Sequence, residues 1–393
     1  MQTNKPILPI VDSLPSSAVW NAYIANVEKR EGTVAWFSSS WMLTECYMYR
    51  RFILKLHHPK WKPSDICRIA QALALSTPSL ESFDVFRQQK QEGFASSLPS
   101  MLSLASWLLA TLSDVLAGEA KAEDIWNILL QVIANLFGTS TLNKVCLWGN
   151  KCDLSISAGS KKAASGDPVT GLAALAPKIL ANNSRLAWRV LEAKSAGGMV
   201  DIVMDNSGFE LFTDLCLADF LITAGLASVV RMRIKNCPWF VSDTTPHDFT
   251  WTLDKLASSK EPVLSELGGR WGKHVEEARW TVHSDQFWTL PHTFNEMSEA
   301  DPDLYSALAQ ADLVIFKGDL NYRKLVGDLN WETTVPLATA VQGFLPAPLL
   351  SLRTAKADVM VGLEAGKAEE TAAVDKQWMV TGEWGVIQFA QPQ

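Results

Sequence analysis

The stretch that decides the fold is Val200–Glu210, which reads Val-Asp-Ile-Val-Met-Asp-Asn-Ser-Gly-Phe-Glu. Its apolar first half is typical of a buried strand, which ends at Asp205 and Asn206 before a tight glycine turn. Residues 209–226 continue with apolar side chains at helical spacing, and residues 228–234 form a second apolar run. We therefore predict a βαβ unit, whose two strands run parallel and whose crossover is right-handed.

Strands and helices continue to alternate on both sides of this unit. The predicted strands are a short one near Val145, then Trp280–His283 with Phe287–Trp288 at its edge, Leu313–Phe316, Leu349–Arg353 and Trp384–Phe389. The predicted helices of this part are Ile179–Leu191, one that begins at Pro246, and Pro302–Ala309. Such alternation indicates an α/β fold with a doubly wound, mostly parallel sheet.

The first 140 residues differ, because no run in them alternates at the period of two that is typical of strands. Helices are predicted from Ser16, Met42, Pro63, Ser82, Met101 and Ala122. The most apolar window, 101–118, is interrupted by three serines and Asp114, so we expect a core helix rather than a membrane span. We predict a helical N-terminal domain over residues 1–140 and an α/β domain over residues 141–393.

Composition excludes some classes of partner. The chain has 35 basic and 42 acidic residues, a net charge of −7 and no basic block, so we expect neither a nucleic-acid nor a membrane partner. Six scattered cysteines without a CxxC motif, and an N-terminus without signal-peptide features, predict reduced thiols and a cytoplasmic location. The sequence leaves the oligomeric state open.

Oxygen-bearing side chains stand at two of the predicted strand ends. Asp205 and Asn206 follow the first strand, and Asp243 lies 38 positions after Asp205, one crossover and a short connection later. Ligands of open α/β sheets bind beyond the carboxyl ends of the strands, so this spacing can bring the three side chains together. Hard oxygen ligands suit Mg²⁺ or Mn²⁺. The alternative is that Asp205 and Asn206 only cap the next helix.

Basic residues stand at further strand ends, where an anion could bind. Residues 317–323 (Lys-Gly-Asp-Leu-Asn-Tyr-Arg) lie between a strand and a helix, whose N-terminus presents free N–H groups. Residues 353–356 (Arg-Thr-Ala-Lys) follow another strand, and Asn150 and Asp153 stand at the end of the strand near Val145. Arginine can hold a phosphate through two parallel hydrogen bonds. The first segment lacks the spacing of a Walker A loop and, taken alone, is equally compatible with a solvated turn.

Together these segments resemble the metal-dependent damage-control phosphatase family, also described as the acidic-residue methyltransferase family. The matching segments, in family order, are Trp148–Ser155, Asp205–Glu210, Ser242–Asp243, Lys317–Arg323 and the RTxK element Arg353–Lys356. The RTxK element is similar to that of the subgroup that acts on sugar phosphates. With five segments in order, the resemblance makes the helix-cap interpretation the weaker one.

The resemblance implies an α/β/α sheet domain with a helical N-terminal domain and one divalent metal (Mn²⁺, Co²⁺, Ni²⁺ or Mg²⁺) held by Asp205, Asn206 and Asp243. It implies hydrolysis of phosphate monoesters such as fructose 1-phosphate and fructose 6-phosphate, with a small phosphorylated sugar as partner. The expected catalytic set is Asp205, Asn206, Asp243 and Lys356. The expected substrate-binding set is Asn150, Asp153, Glu210, Lys317, Asp319, Leu320, Asn321, Tyr322, Arg323, Arg353 and Lys356.

The expected mechanism is direct attack by water, since no aspartyl-phosphate motif follows a strand. Asp243 or Asp153 would orient that water. One alternative is a protein-glutamate methyltransferase that uses S-adenosylmethionine, with Glu210 and Asp243 at the cofactor. It is disfavoured because basic strand ends repel a sulfonium cation and no glycine-rich loop of the usual type is present. A non-catalytic sugar-phosphate binder is the other alternative.

Overall fold

The computed structural model describes residues 4–11, 15–56, 84, 86–135, 176–194 and 197–392. The helices described before residue 136 are α1 Pro15–Glu31, α2 Trp41–Leu56, α3 Arg87–Ser96, α4 Leu98–Ala117 and α5 Ala122–Asn135. They confirm that the described residues of this part are mostly helical. The predictions that concern Pro63, Val145, Asn150 and Asp153 lie outside the described residues.

From residue 176 onward, the described residues alternate strands with helices, as predicted. The strands are β1 Ile179–Asn182, β2 Gly198–Val203, β3 Ala227–Arg233, β4 Trp280–His283, β5 Leu313–Lys317, β6 Leu349–Thr354 and β7 Gly385–Ala390. The helices are α6 Ser184–Glu192, α7 Phe209–Thr223, α8 Pro246–Ala257, α9 Pro262–Glu276, α10 Met297–Ala300, α11 Pro302–Leu308, α12 Gly318–Leu325, α13 Leu337–Ala340 and α14 Lys367–Val374. Short 3₁₀ turns occur at Ala176–Lys178, Gln286–Thr289 and Phe294–Glu296.

The seven strands form one sheet in the order β1-β7-β6-β5-β2-β3-β4. Among these pairs only β6 and β7 run antiparallel, so the predicted mostly parallel sheet is confirmed. From β2 the chain continues through β3 and β4 on one side and returns to β5 and β6 on the other. The order therefore reverses between β2 and β5, and the crevice beyond such a switch point is where ligands of α/β sheets bind.

Helices cover both faces of the sheet, which confirms the predicted three layers. Successive residues of a strand point to opposite faces. On β2, Ile202 belongs to the core under α4, α5, α7, α8 and α9. The next residue, Val203, belongs to the opposite core with Phe294, Leu304 and Leu325. Helices α4 and α5 thus form part of one layer, and the domain boundary at residue 140 stays a prediction.

Helix α4 is long and apolar enough to cross a membrane by length and composition alone. Its buried residues, which include Met101, Leu104 and Leu108, belong to the core under α7 and α9. This packing agrees with the core helix that we predicted.

Two predicted elements have another structure, and four helices were not predicted. Residues 179–182, predicted as the start of a helix, form β1, because they pair with β7 at the far end of the chain. Phe287 and Trp288 form a 3₁₀ turn instead of a strand edge. Both side chains are buried, whereas adjacent residues of a strand would point to opposite faces. The helices that were not predicted are α9, α10, α13 and α14.

Candidate active site

The predicted metal ligands meet at the switch point of the sheet. Asp205 follows β2, and Asn206 forms an isolated antiparallel bridge with Asp243. The Thr244 amide donates to the Asp205 carbonyl at 2.8 Å, which ties the loop after β3 to the end of β2. All three side chains are buried, with exposed fractions of 2–6%. The structure therefore brings Asp243 next to Asp205 and Asn206, although it lies 38 positions after Asp205 in the sequence.

Both the nitrogen and the oxygen of the Asn206 side-chain amide form hydrogen bonds. Its Nδ2 donates to Asp205 Oδ2 and to Glu210 Oε2, each at 2.8 Å. The Ser242 hydroxyl donates to Asn206 Oδ1 at 2.6 Å. Oδ1 is thereby turned away from the two carboxylates.

The structure does not support the helix-cap interpretation of Asp205 and Asn206. Helix α7 begins at Phe209, and its N-cap residue is Gly208, with φ of +72°. Among the described residues, no side chain forms a capping hydrogen bond at this position. The two residues are therefore available for another role.

Gly318, at the end of β5, packs directly on Asp205. Its φ of +83° favours glycine, and a Cβ atom there would lie 1.9 Å from Asp205 Oδ2. No side chain fits between the start of α12 and Asp205, so the segment 317–323 stands beside the predicted metal ligands.

A cavity of about 540 Å³ opens above these residues. Among its lining residues, those predicted from sequence are Asp205, Asn206, Asp243, Asp319, Leu320, Arg323 and Lys356. The guanidinium of Arg323 stacks on the ring of Trp41 at 3.8 Å and forms an ion pair with Asp328. We call Asp205, Asn206 and Asp243 the floor of the cavity, and Arg323 and Lys356 part of its wall. Carboxylates on the floor and basic side chains on the wall suit a metal with a bound anion.

Five residues predicted to bind substrate do not line this cavity: Glu210, Lys317, Asn321, Tyr322 and Arg353. Asn321 donates to the carbonyl oxygens of Met204 and Lys317. The Tyr322 hydroxyl accepts from the Val361 amide. Their contacts place them behind the cavity wall, and a direct contact with substrate stays a prediction.

Arg353 is fully buried and supports the segment that carries Lys356. Its Nε donates to Asp319 Oδ1 at 2.7 Å, and its other nitrogens donate to the carbonyl oxygens of Val359 and Ala357. The guanidinium stacks on the Tyr322 ring at 4.1 Å. Since Asp319 and Ala357 also line the cavity, Arg353 shapes the wall from behind.

We expect Arg353→Lys to lower the free energy of unfolding by about 2–4 kcal/mol, because an ammonium cannot serve these acceptors and the ring together. Urea unfolding measures this change. Arg189→Lys, at an exposed position of α6, is the matched control and should stay within about 0.5 kcal/mol. Equal urea midpoints for the two variants would contradict the supporting role of Arg353.

Sequence reasoning missed one wall of the cavity. Trp41, Glu45 and Tyr49 of α2 line it together with Phe240 and Val241. The rings of Tyr49 and Phe240 stack at 4.6 Å. The spacing of four residues on α2, which places the three side chains on one helical face, was the signal present in the sequence.

The loop before Asp243 is strained. Phe240 and Val241 have φ of +40° and +67°, and the left-handed region is especially unfavourable for a β-branched residue. Such strain costs roughly 1–3 kcal/mol per residue and clusters at functional sites. Here the two strained residues line the cavity, and Ser242 and Asp243 follow them directly in the sequence.

The electrostatics of the floor favour a bound cation. Burial raises the pKa of Asp205 well above its ordinary value, and the charges of Glu210 and Asp243 raise it further. Burial likewise raises the pKa of Asp243 to about 6. Asp243 Oδ2 accepts no hydrogen bond from the described residues, and Lys235 Nζ lies 3.5 Å away. A buried excess of carboxylate charge is stabilised by a metal.

The donor set fits a hard divalent ion. Among the described residues, no group of three or more His, Cys, Asp or Glu side chains could hold a metal. The predicted set is of another kind, since it combines the carboxylates of Asp205 and Asp243 with the amide of Asn206. Oxygen-only sets of this kind suit Mg²⁺ or Mn²⁺, which also keep water ligands.

Comparison with known proteins identifies similar chains. The model of the family "Damage-control phosphatase ARMT1-like domain" matches residues 1–371. The chain is 42% identical over 402 residues to Damage-control phosphatase ARMT1 of Xenopus laevis, covering 99% of this chain and 84% of that protein. It is 38% identical over 405 residues to the protein of the same name of Homo sapiens, covering 100% of this chain and 84% of that protein.

Comparison with solved structures also gives a match. It is a DUF89 family protein from Pyrococcus horikoshii, 14% identical, with a TM-score of 0.38. The alignment covers 96% of this chain and 98% of that one. At this TM-score the likeness carries no weight for the fold or the function.

Proposed function

The chain belongs to the damage-control phosphatase ARMT1-like domain family, a family of phosphatases, and from this premise we propose that it hydrolyses sugar phosphates with a divalent metal. The proposed substrates are phosphate monoesters such as fructose 1-phosphate and fructose 6-phosphate. The observation that carries the proposal is the cavity whose floor holds Asp205, Asn206 and Asp243 and whose wall holds Arg323 and Lys356.

In their ionised form the carboxylates of the floor would repel a phosphate unless a cation lay between them. The metal would be held by Asp205, Asn206 and Asp243. When bound, it would supply Lewis acidity and a position for water and a phosphoryl oxygen. Arg323 and Lys356, which line the wall, would neutralise the charge of the phosphoryl oxygens.

The chain's own residues would position the reactants. Glu45, Asp319 and Asp358 line the cavity and can accept hydrogen bonds from sugar hydroxyls. The oxygen of water would form the new bond to phosphorus while the bond to the sugar oxygen breaks. Asp243 would orient that water, and the products would be inorganic phosphate and the free sugar hydroxyl.

The test is phosphate release from fructose 1-phosphate by EDTA-treated protein, with Mg²⁺, Mn²⁺, Co²⁺ or Ni²⁺ added back. We expect release only when a metal is present. Absence of release with every metal, from folded protein, would refute the proposal for this substrate. Methyl transfer from S-adenosylmethionine in the same preparation would favour the alternative activity instead.

A further inference from the structure

A chain of buried charges runs behind the metal-binding residues. Asn206 Nδ2 donates to Glu210 Oε2 at 2.8 Å. Glu210 Oε1 accepts from Lys317 Nζ at 3.0 Å, and Lys317 Nζ lies 2.8 Å from Asp214 Oδ1. The exposed fractions of Glu210, Lys317 and Asp214 are 3%, 1% and 0%. This relay, Glu210–Lys317–Asp214, does not line the cavity.

The relay determines which end of the Asn206 amide faces Glu210. The Lys317 ammonium can only donate, so the atom of residue 210 that faces it must accept. Burial lowers the pKa of Lys317, but the charges of Asp214 and Glu210 outweigh burial and raise it, so the ammonium persists at neutral pH. With Oε1 of Glu210 facing Lys317, its other oxygen, Oε2, faces Asn206 as an acceptor, and only Nδ2 can donate to it.

We propose that Glu210, Lys317 and Asp214 are positioning residues that keep the Asn206 amide oxygen turned toward the metal. The Ser242 hydroxyl, which donates to Oδ1, supports the same orientation from the other side. This inference rests on the proposed metal-dependent function. It assigns Glu210 and Lys317 a role behind the site, in place of contact with substrate.

Glu210→Gln is the informative change, because it retains size but inverts the hydrogen-bond pattern. Lys317 would attract the glutamine oxygen, so the glutamine nitrogen would face Asn206 Nδ2 as a second donor. Relieving that conflict turns the Asn206 nitrogen toward the metal. We expect Mn²⁺ affinity to fall about 10- to 100-fold, as is usual when the group that orients a ligand is lost.

The matched comparison is the neutral variant Glu210→Gln/Lys317→Met/Asp214→Asn. Its relay carries the same net charge as that of Glu210→Gln, since Lys317 and Asp214 cancel in the single variant. Without the ammonium, the glutamine oxygen is able to face Asn206 again. We expect Mn²⁺ affinity to recover to within about tenfold of the wild type, a rescue that a merely structural role would not produce.

Asp219→Asn serves as a control on the same helix. Asp219 is fully buried and accepts from Arg270, Trp271 and His274 away from the site. This change should lower the melting temperature and leave Mn²⁺ affinity unchanged. Comparing Asp219→Asn with Glu210→Gln thereby separates the effect of losing any buried carboxylate of α7 from the effect of disrupting the relay.

The experiment is titration of the four EDTA-treated proteins with Mn²⁺, with free Mn²⁺ followed by electron paramagnetic resonance. Weak binding by Glu210→Gln with recovery in the neutral variant supports the relay. Unchanged binding by Glu210→Gln, or no recovery, overturns it. If Glu210→Gln does not fold, an Mn²⁺ affinity of the neutral variant more than tenfold below that of the wild type overturns the relay. Absence of binding by the wild type would instead refute the metal-dependent function itself.

Discussion

Gly318→Ala is expected to reduce metal-dependent phosphate release about 100-fold or more. A Cβ atom at residue 318 would lie 1.9 Å from Oδ2 and 2.3 Å from Cγ of Asp205. Since the backbone at the end of β5 is fixed by its neighbours β2 and β6, the Asp205 carboxylate must move instead. A displacement of about 1 Å at a reacting centre commonly costs about 100-fold in rate.

Backbone strain contributes to the same variant and must be separated from the clash. Gly318 has φ of +83°, which costs a residue with a side chain about 1–2 kcal/mol. Gly366 has φ of +85° and no heavy atom within 4 Å of a Cβ position. Gly366→Ala is therefore a matched control for strain alone, with lower stability and full activity.

Melting temperature and phosphate release, measured on both variants, distinguish the two effects. We expect both variants to lose stability, Gly318→Ala more because the clash adds to the strain, and a large loss of activity only in Gly318→Ala. If the two variants retained equal activity, Gly318 would not be what holds Asp205 in place.

Asp205→Asn is expected to abolish Mn²⁺ binding and to lower kcat/KM about 1000-fold, while the metal-free protein is at least as stable as the wild type. Loss of a charged ligand removes a Lewis acid worth several kcal/mol, and each 1.4 kcal/mol is tenfold in rate. Burial and the charges of Glu210 and Asp243 make ionised Asp205 unfavourable in the metal-free protein. A neutral side chain of the same size removes that cost.

Loss of Mn²⁺ binding without loss of stability is diagnostic of a binding site, because sites that hold ligands are often built at the expense of stability. Urea unfolding in EDTA measures the stability of the metal-free protein, and titration at the same pH measures its Mn²⁺ affinity. Asp254→Asn, at an exposed position of α8, should change neither quantity. A marked drop in the stability of metal-free Asp205→Asn would indicate that Asp205 is a structural residue.

Much of the fold could be predicted because its signals are local. The run from residue 200 to 204 is apolar except for Asp201, and residues 205–208 contain polar side chains and a glycine turn. Strand, turn and helix therefore follow from residues close in sequence. Strand β1 and the 3₁₀ turn at 286–289 escaped prediction, because their conformations depend on partners far away in the chain. The contribution of α2 to the cavity wall was not predicted for the same reason.

The sequence by itself determined the alternation of strands and helices and the residue types at the strand ends, since both are properties of short segments. Only the tertiary structure decided which of those residues face the cavity. Arg323 and Lys356 line it, whereas Lys317 and Arg353, which belong to the same two sequence motifs, are buried behind it. Arg323 pairs with Asp328, which lies only five positions away in sequence. The physical reason for the burial of the other two cations is their set of acidic partners: Glu210 and Asp214 for Lys317, and Asp319 for Arg353. These partners come from other elements, so no single segment of the sequence reveals the pairing.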